Sequence, residues 1–296
     1  MYRSAIVAAA AALVLATPVE AKRAIILYTP VQKLARADVV VVGKVTAIEK
    51  ATVDAPQFPG VKEKTSYKVA VIKIESGLVG AANVTHIKVG FVPAAPAPVG
   101  DPAVPPVGRP IPGRGGFGPV VLTEGQEGLF YLSKHHSADF YTISPMLAPI
   151  GAKDDGYKDQ LAQAKLGAAA LTDPMKALKA EKAPDRLFAA NVLIQKYRAY
   201  PEGGVEAELV KISADESKLV LKAIAEGNWK GDPNDGNAPN SYQAFSMIGL
   251  NEKDGWKYPV VKPGEDFIEK TKEAYVAWLA GAGKDYQISK WVAKKK

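Results

Sequence analysis

The chain contains three histidines, and two of them, His135 and His136, stand just ahead of Asp139. Imidazole and carboxylate are zinc ligand types, so these residues and His86 are the set that could hold a metal and activate a water for hydrolysis. Such a centre also needs an open coordination position and a general base. Neighbours along a strand point to opposite faces, so His135 and His136 reach one metal only if the chain curls there. A polar hairpin tip accounts for the same residues without chemistry. Ser133 and Ser137 lie near the histidines in sequence, but the strained G-x-S-x-G elbow of a serine nucleophile is missing.

A second oxygen-rich stretch, Asp232-Pro233-Asn234-Asp235-Gly236-Asn237, offers Asp232, Asn234 and Asp235 as calcium ligands. Its spacing is not that of a calcium loop, and Gln243 stands near the place of the bidentate glutamate. Asp, Asn, Gly and Pro are also the ordinary turn formers. Gly113 to Gly118 satisfies G-x-G-x-x-G formally, yet it follows prolines and runs into Pro119, whereas a dinucleotide loop joins a strand to a helix. No cofactor site and no catalytic set is read from the chain. With no cysteine, thiolate zinc sites, cysteine nucleophiles, disulfides and a lipoprotein-type acyl anchor are excluded.

The elements that would carry these residues change character midway. A short helix is expected over Thr29 to Arg36. Strands follow at Val39 to Ile48, with a bend at Gly43, then at Tyr67 to Val71 and Ile87 to Phe91. Gly77-Leu78-Val79-Gly80 reads as a turn. Leu129 to Leu132 and Phe140 to Ile143 read as the arms of a hairpin around Ser137-Ala138-Asp139. Five strands in little more than a hundred residues predict a small closed or nearly closed barrel. Residues 93–119, with nine prolines and six glycines, cannot sustain a ladder and are expected to project from it as a loop or flap.

From Tyr157 onward the apolar period is helical. Asp173-Pro174 and Pro184-Asp185 are helix starts, and Leu187, Ala190, Ile194 and Tyr197 define a buried stripe. Ser213 to Glu216 is a capping box, Gly227 a helix end, and Glu265 to Leu279 a last helix. Trp229, Trp256, Trp278 and Trp291 all fall in this half, where such rings fill gaps between helices more often than they line a carbohydrate platform. The fold class is α+β: a five-stranded barrel over residues 22–150, with its insertion at 93–119, followed by a helical domain over 157–296.

Ala37 to Val45, Tyr67-Lys68-Val69 through Gly77, and Gly125-Gln126-Glu127 ahead of Leu129 to Leu132 resemble the OB-like barrel of the tissue-inhibitor-of-metalloproteinases and netrin modules. The resemblance covers about residues 30–145. It implies an OB-like barrel, shared with secreted bacterial proteins that place it ahead of a helical tail. In that family an N-terminal cysteine chelates the protease zinc, and this chain has none, so the inhibitory mechanism does not carry over.

Arg3 ahead of the apolar run Ala5 to Ala16, with a small-residue site at Val19-Glu20-Ala21, reads as a signal peptide over residues 1–21. The expected product is exported, periplasmic or extracellular, with no transmembrane anchor after cleavage. A net charge of +7 is spread along the chain rather than clustered with aromatic residues, which argues against nucleic acid as a partner. The leading expectation is a non-enzymatic protein that binds a protein or an envelope polymer. The alternative is a metal-dependent hydrolase built on the histidines.

Overall fold

The structure, a computed structural model, describes residues 28–93, 120–201, 205–232 and 240–294. The segment expected to be a leader, residues 1–21, and the insertion beyond Pro93, including the glycine-rich Gly113 to Gly118, lie outside the described residues. The chain is mixed α+β, with a sheet in the N-terminal half and helices in the C-terminal half.

Helix α1 (Pro30–Arg36) opens on a capping box between Thr29 and Gln32 and has Pro30 in its first turn. The sheet comprises β1 (Val39–Pro56), β2 (Lys64–Val79), β3 (His86–Phe91), β4 (Glu127–Lys134), β5 (Tyr141–Thr142) and β6 (Ile150–Gly151). Pairing runs β1–β2–β3–β5–β4, and β4 pairs again with β1, so the first five strands form a ring of ladders; β3 and β5 are parallel. Two expectations need correction. Gly77 to Val79 belong to β2 rather than to a turn, because Val41 and Val40 of β1 continue the ladder against Gly77 and Val79. The turn comes at Gly80, whose positive φ and close approach to the Asp38 carbonyl suit a residue without Cβ. The last hairpin arm is also shorter than expected, with only Tyr141 and Thr142 paired.

The apolar runs Val39 to Val42 and Leu129 to Leu132 do not alternate because both faces of β1 and β4 are covered. Val39, Val41, Phe130 and Leu132 point inward with Ile72, Val89 and Phe91. Val40, Leu129 and Tyr131 point outward and pack under Leu34 of α1, Ala164 of α2 (Tyr157–Thr172), and Phe188 and Val192 of α4 (Ala183–Arg198). A strand buried on two faces reads as a continuous hydrophobic run.

In the C-terminal half, α3 (Pro174–Ala177) is a single turn capped by Asp173, and α4 is the central helix. Every residue from Leu187 to Ile194 is buried, not just a stripe. Even Asn191 is inside, donating from its amide to the Leu187 carbonyl. Around α4 lie α5 (Ala214–Glu226), α6 (Ser241–Ile248) and α7 (Phe267–Ala280). Trp229, Trp256 and Trp278 fill the gaps between these helices together with Phe245 and Tyr275. The half is not purely helical: β7 (Ala207–Lys211) and β8 (Ser289–Ala293) form an antiparallel ribbon. No helix among the described residues is long and apolar enough to cross a membrane.

Because all four tryptophans lie at or beyond residue 229, their fluorescence reports the helical half alone. Leu129→Ala, a change in β4, should nevertheless lower the tryptophan-monitored stability by about 2–5 kcal/mol, since a fully buried leucine is lost from the layer that joins sheet to helices. An unchanged tryptophan transition in denaturant would show that the halves fold separately.

Candidate functional site

Asp38, between α1 and β1, already belongs to the β1–β4 ladder: its amide donates to the Leu132 carbonyl at 2.9 Å, and its Oδ2 accepts the Lys134 amide at 2.8 Å. The end of β4 is thereby pinned to the end of α1, and the chain then turns through His135 to Phe140. His135 N donates to the Phe140 carbonyl at 3.1 Å. Its ring nitrogen Nδ1 accepts two backbone donors, Ser137 N at 3.1 Å and Ala138 N at 3.0 Å. An imidazole nitrogen that receives two N–H groups carries no proton, so the neutral ring holds its hydrogen on Nε2.

His135 is only 5% exposed and is enclosed by aromatic rings. Tyr67 meets it edge-on at 5.7 Å, Phe140 lies at 4.9 Å, and His136 stacks on it at 4.5 Å. Phe140 in turn lies over Gly90 so closely that a Cβ there would enter its ring. Burial, followed by the charge of His136, pulls the basicity of His135 below the usual imidazole value, and the Pro56 carbonyl partly opposes both. Burial also pushes the Tyr67 phenol up.

The candidate ligands therefore separate. The chain does curl at the tip, and His135 and His136 lie ring on ring, but His135 has turned Nδ1 to its own backbone. His136 and Asp139 are exposed. His86 is exposed on β3, beside the Thr85 hydroxyl and opposite Lys73 of β2. Ser137 presents its backbone amide to His135 Nδ1, which leaves that nitrogen unavailable as a base for its hydroxyl. Asp232 is exposed between α5 and α6 in the other half, whereas Asn234 and Asp235 lie outside the described residues. Among the described residues, no three His, Asp or Glu side chains gather closely enough to hold a metal ion.

What the histidine turn does line is a groove of about 980 Å³. One wall is the β1–β2 turn, Gln57-Phe58-Pro59. Another is formed by Tyr28, Arg36 and Asp38 around the end of α1. Ser133 to His136 contribute the floor, Ser144, Met146 and Leu147 a further side, and Tyr200, Pro201 and Val205 the side belonging to the helical half. Phe58 and Tyr200 are 60% and 54% exposed. The Arg36 guanidinium lies 4.8 Å from the centre of the Tyr28 ring. Phe58, Tyr200, Arg36 and Tyr28 escape a reading of the sequence, since none stands in a motif and the groove joins segments distant along the chain. Phe58-Pro59-Gly60 between two strands is the one local signal, an aromatic residue at a turn.

No protein-family model matches the chain, and no curated protein matches it. The groove offers aromatic walls, two exposed cations in Arg36 and Lys134, and an acid and a histidine whose acceptors are held by backbone amides. Asp38 Oδ2 and His135 Nδ1 are spent on the turn, which leaves the aromatic rings, Arg36 and Lys134 as the exposed groups along the groove.

The neutral state of His135 gives stability a pH dependence with a definite sign. The folded ring titrates below its unfolded value of about 6.5, so on acidification through that value the unfolded chain takes up protons that the native chain does not. Stability present above that pH falls as the pH drops towards the folded value. His135→Asn, which keeps a non-titrating acceptor, should lose about 1–3 kcal/mol at neutral pH. It should also flatten the decline between about pH 7.5 and pH 5.5 seen in denaturant titrations of the parent protein. An equal decline in both proteins would remove His135 from the account.

Proposed function

We propose that this is an exported, non-enzymatic binding protein, in which an OB-like barrel and a helical domain together present one groove to an extended, anionic envelope polymer. The observation that carries the reading is the mouth of that groove, where exposed aromatic rings from separate segments, Phe58 and Tyr200, flank a surface bearing Arg36 and Lys134. Aromatic faces stack on sugar rings or planar groups at small entropic cost, and cations draw in and orient anionic chains. The ring of pairings with parallel β3 and β5 supports the OB-like reading, as does the resemblance over residues 30–145. Such a likeness of fold does not assign a ligand. Export rests on the leader-like segment at residues 1–21.

The test is co-sedimentation of the purified mature protein with an insoluble anionic envelope polysaccharide. Phe58→Ser and Tyr200→Ser should each weaken retention by about 10-fold, the loss expected for an aromatic anchor. Raising salt should weaken it further by screening Arg36 and Lys134. Absence of binding, or retention indifferent to both substitutions, would overturn the reading. Retention of a protein from the same preparation in place of the polysaccharide would shift the partner to a polypeptide. Stoichiometric metal in the purified protein would favour the hydrolase alternative.

A further inference from the structure

The ribbon β7–β8 ends in an open edge. Strand β8 lies against α4, with the Lys290 ammonium 5.9 Å from the Tyr197 ring, whereas β7 is the outer strand and is exposed from Glu208 to Lys211. The register pairs Ala207 with Ala293, Leu209 with Trp291 and Lys211 with Ser289. Two flanking bonds set the phase of the ladder: Ile212 N donates to the Ile288 carbonyl at 2.9 Å, and Lys294 N to the Glu206 carbonyl at 2.8 Å. In an antiparallel pair the bonded positions alternate. The even-numbered residues of β7 therefore bond to β8, and Ala207, Leu209 and Lys211 turn their N–H and C=O groups outward. Among the described residues no third strand pairs with that edge.

We infer that this edge is a docking strand for a second copy of the chain, pairing antiparallel about a two-fold axis through Leu209. The outward groups are symmetric about Leu209, so Leu209 meets its own counterpart. Ala207 of each copy meets Lys211 of the other, and the three outward residues on each strand make six reciprocal backbone bonds. Charge selects this direction. Antiparallel pairing sets Glu208 opposite Val210, whereas parallel pairing in register would set Glu208 on Glu208 and Lys211 on Lys211; like charges directly opposite are unfavourable.

One face of the combined sheet would also be apolar across the axis. Leu209, 50% exposed, shares a face with Trp291, against which Tyr200 packs at 5.2 Å. Two copies side by side join these residues into one strip, Tyr200 to Trp291 to Leu209 and back. An inward charge or a proline at the middle of an edge would block such pairing; β7 has Leu209 there, and its charges, Glu208 and Lys211, stand to either side. Tyr200 also lines the groove, so association would place two grooves on one particle, and a polymer that spans both would be held more tightly than by either. The pairing itself stands on the strand geometry and does not depend on what the groove binds.

The test is sedimentation equilibrium of the full mature chain between about 10 and 500 µM, the range of a small interface. The mass should rise from one chain towards two, and Leu209→Lys, a change at an exposed position, should weaken association by at least about 10-fold, with a melting temperature equal to that of the parent at concentrations where the parent is monomeric. As a control on folding, amide exchange at Leu209 and Lys211 of the parent protein should slow as concentration rises, while Val210 stays protected throughout. A chain that remains a monomer over this range, a Leu209→Lys variant that associates as well as the parent, or exchange at Leu209 independent of concentration would each overturn the inference.

Discussion

The contact on which the rest of the molecule depends is the burial of the outer face of β1 and β4 beneath α1, α2 and α4. Val40, Leu129 and Tyr131 have no solvent side, and neither has α4 between Leu187 and Ile194. The two halves of the chain are therefore layers of one packing problem. Phe188 and Val192 face the strands, while Ala189, Ala190, Leu193 and Ile194 face the helical core with Phe245 and Trp229. A chain without disulfides is held by such burial alone, and each large apolar side chain taken fully out of water contributes about 1.5–3 kcal/mol before the entropy of ordering is counted.

The groove follows from that layering. Its α1 wall is fixed because Asp38 ties the helix end to Lys134, its floor because His135 anchors the turn with Nδ1, and its far side because Tyr200 leaves the end of α4. A histidine used in this way is more valuable neutral than charged, and burial keeps it so. Of the residues that looked most like chemistry in the sequence, His135 thus serves to hold the turn, and the groove beside it is lined by ordinary aromatic and basic side chains brought together by the fold.

Much of the architecture was legible in local patterns. The capping residue Ser213, the strand centres at Val41, Val89 and Phe130, and the stripe of the last helix all lie where periodicity and capping chemistry put them, and the first helix differs from its expected span only in that Thr29 caps it. Three features were not. The β7–β8 ribbon joins residues some 80 positions apart, so neither strand has a hairpin signal, and both are short. Helix α6 is only eight residues long and follows a polar loop; its sole marker is Asn240, which accepts the amides of Tyr242 and Gln243. The extension of β2 through Gly77 to Val79 depends on β1 lying alongside, a tertiary fact that overrides the turn preference of glycine. The candidate site was least legible, because sequence proximity grouped His135, His136 and Asp139, whereas the backbone turned His135 inward and left the other two in solvent.

Sheet and helices sharing this layer should behave as one cooperative unit, which residue-resolved hydrogen exchange in low denaturant measures directly. Ladder amides of β1 and β4 at Val40 to Val42 and Phe130 to Leu132 should open with the same free energy and denaturant dependence as the α4 amides from Asn191 to Ile194. Opening of the strand amides at distinctly lower free energy, while α4 remains protected, would contradict this cooperativity and would mean that the two sides of the groove are held independently.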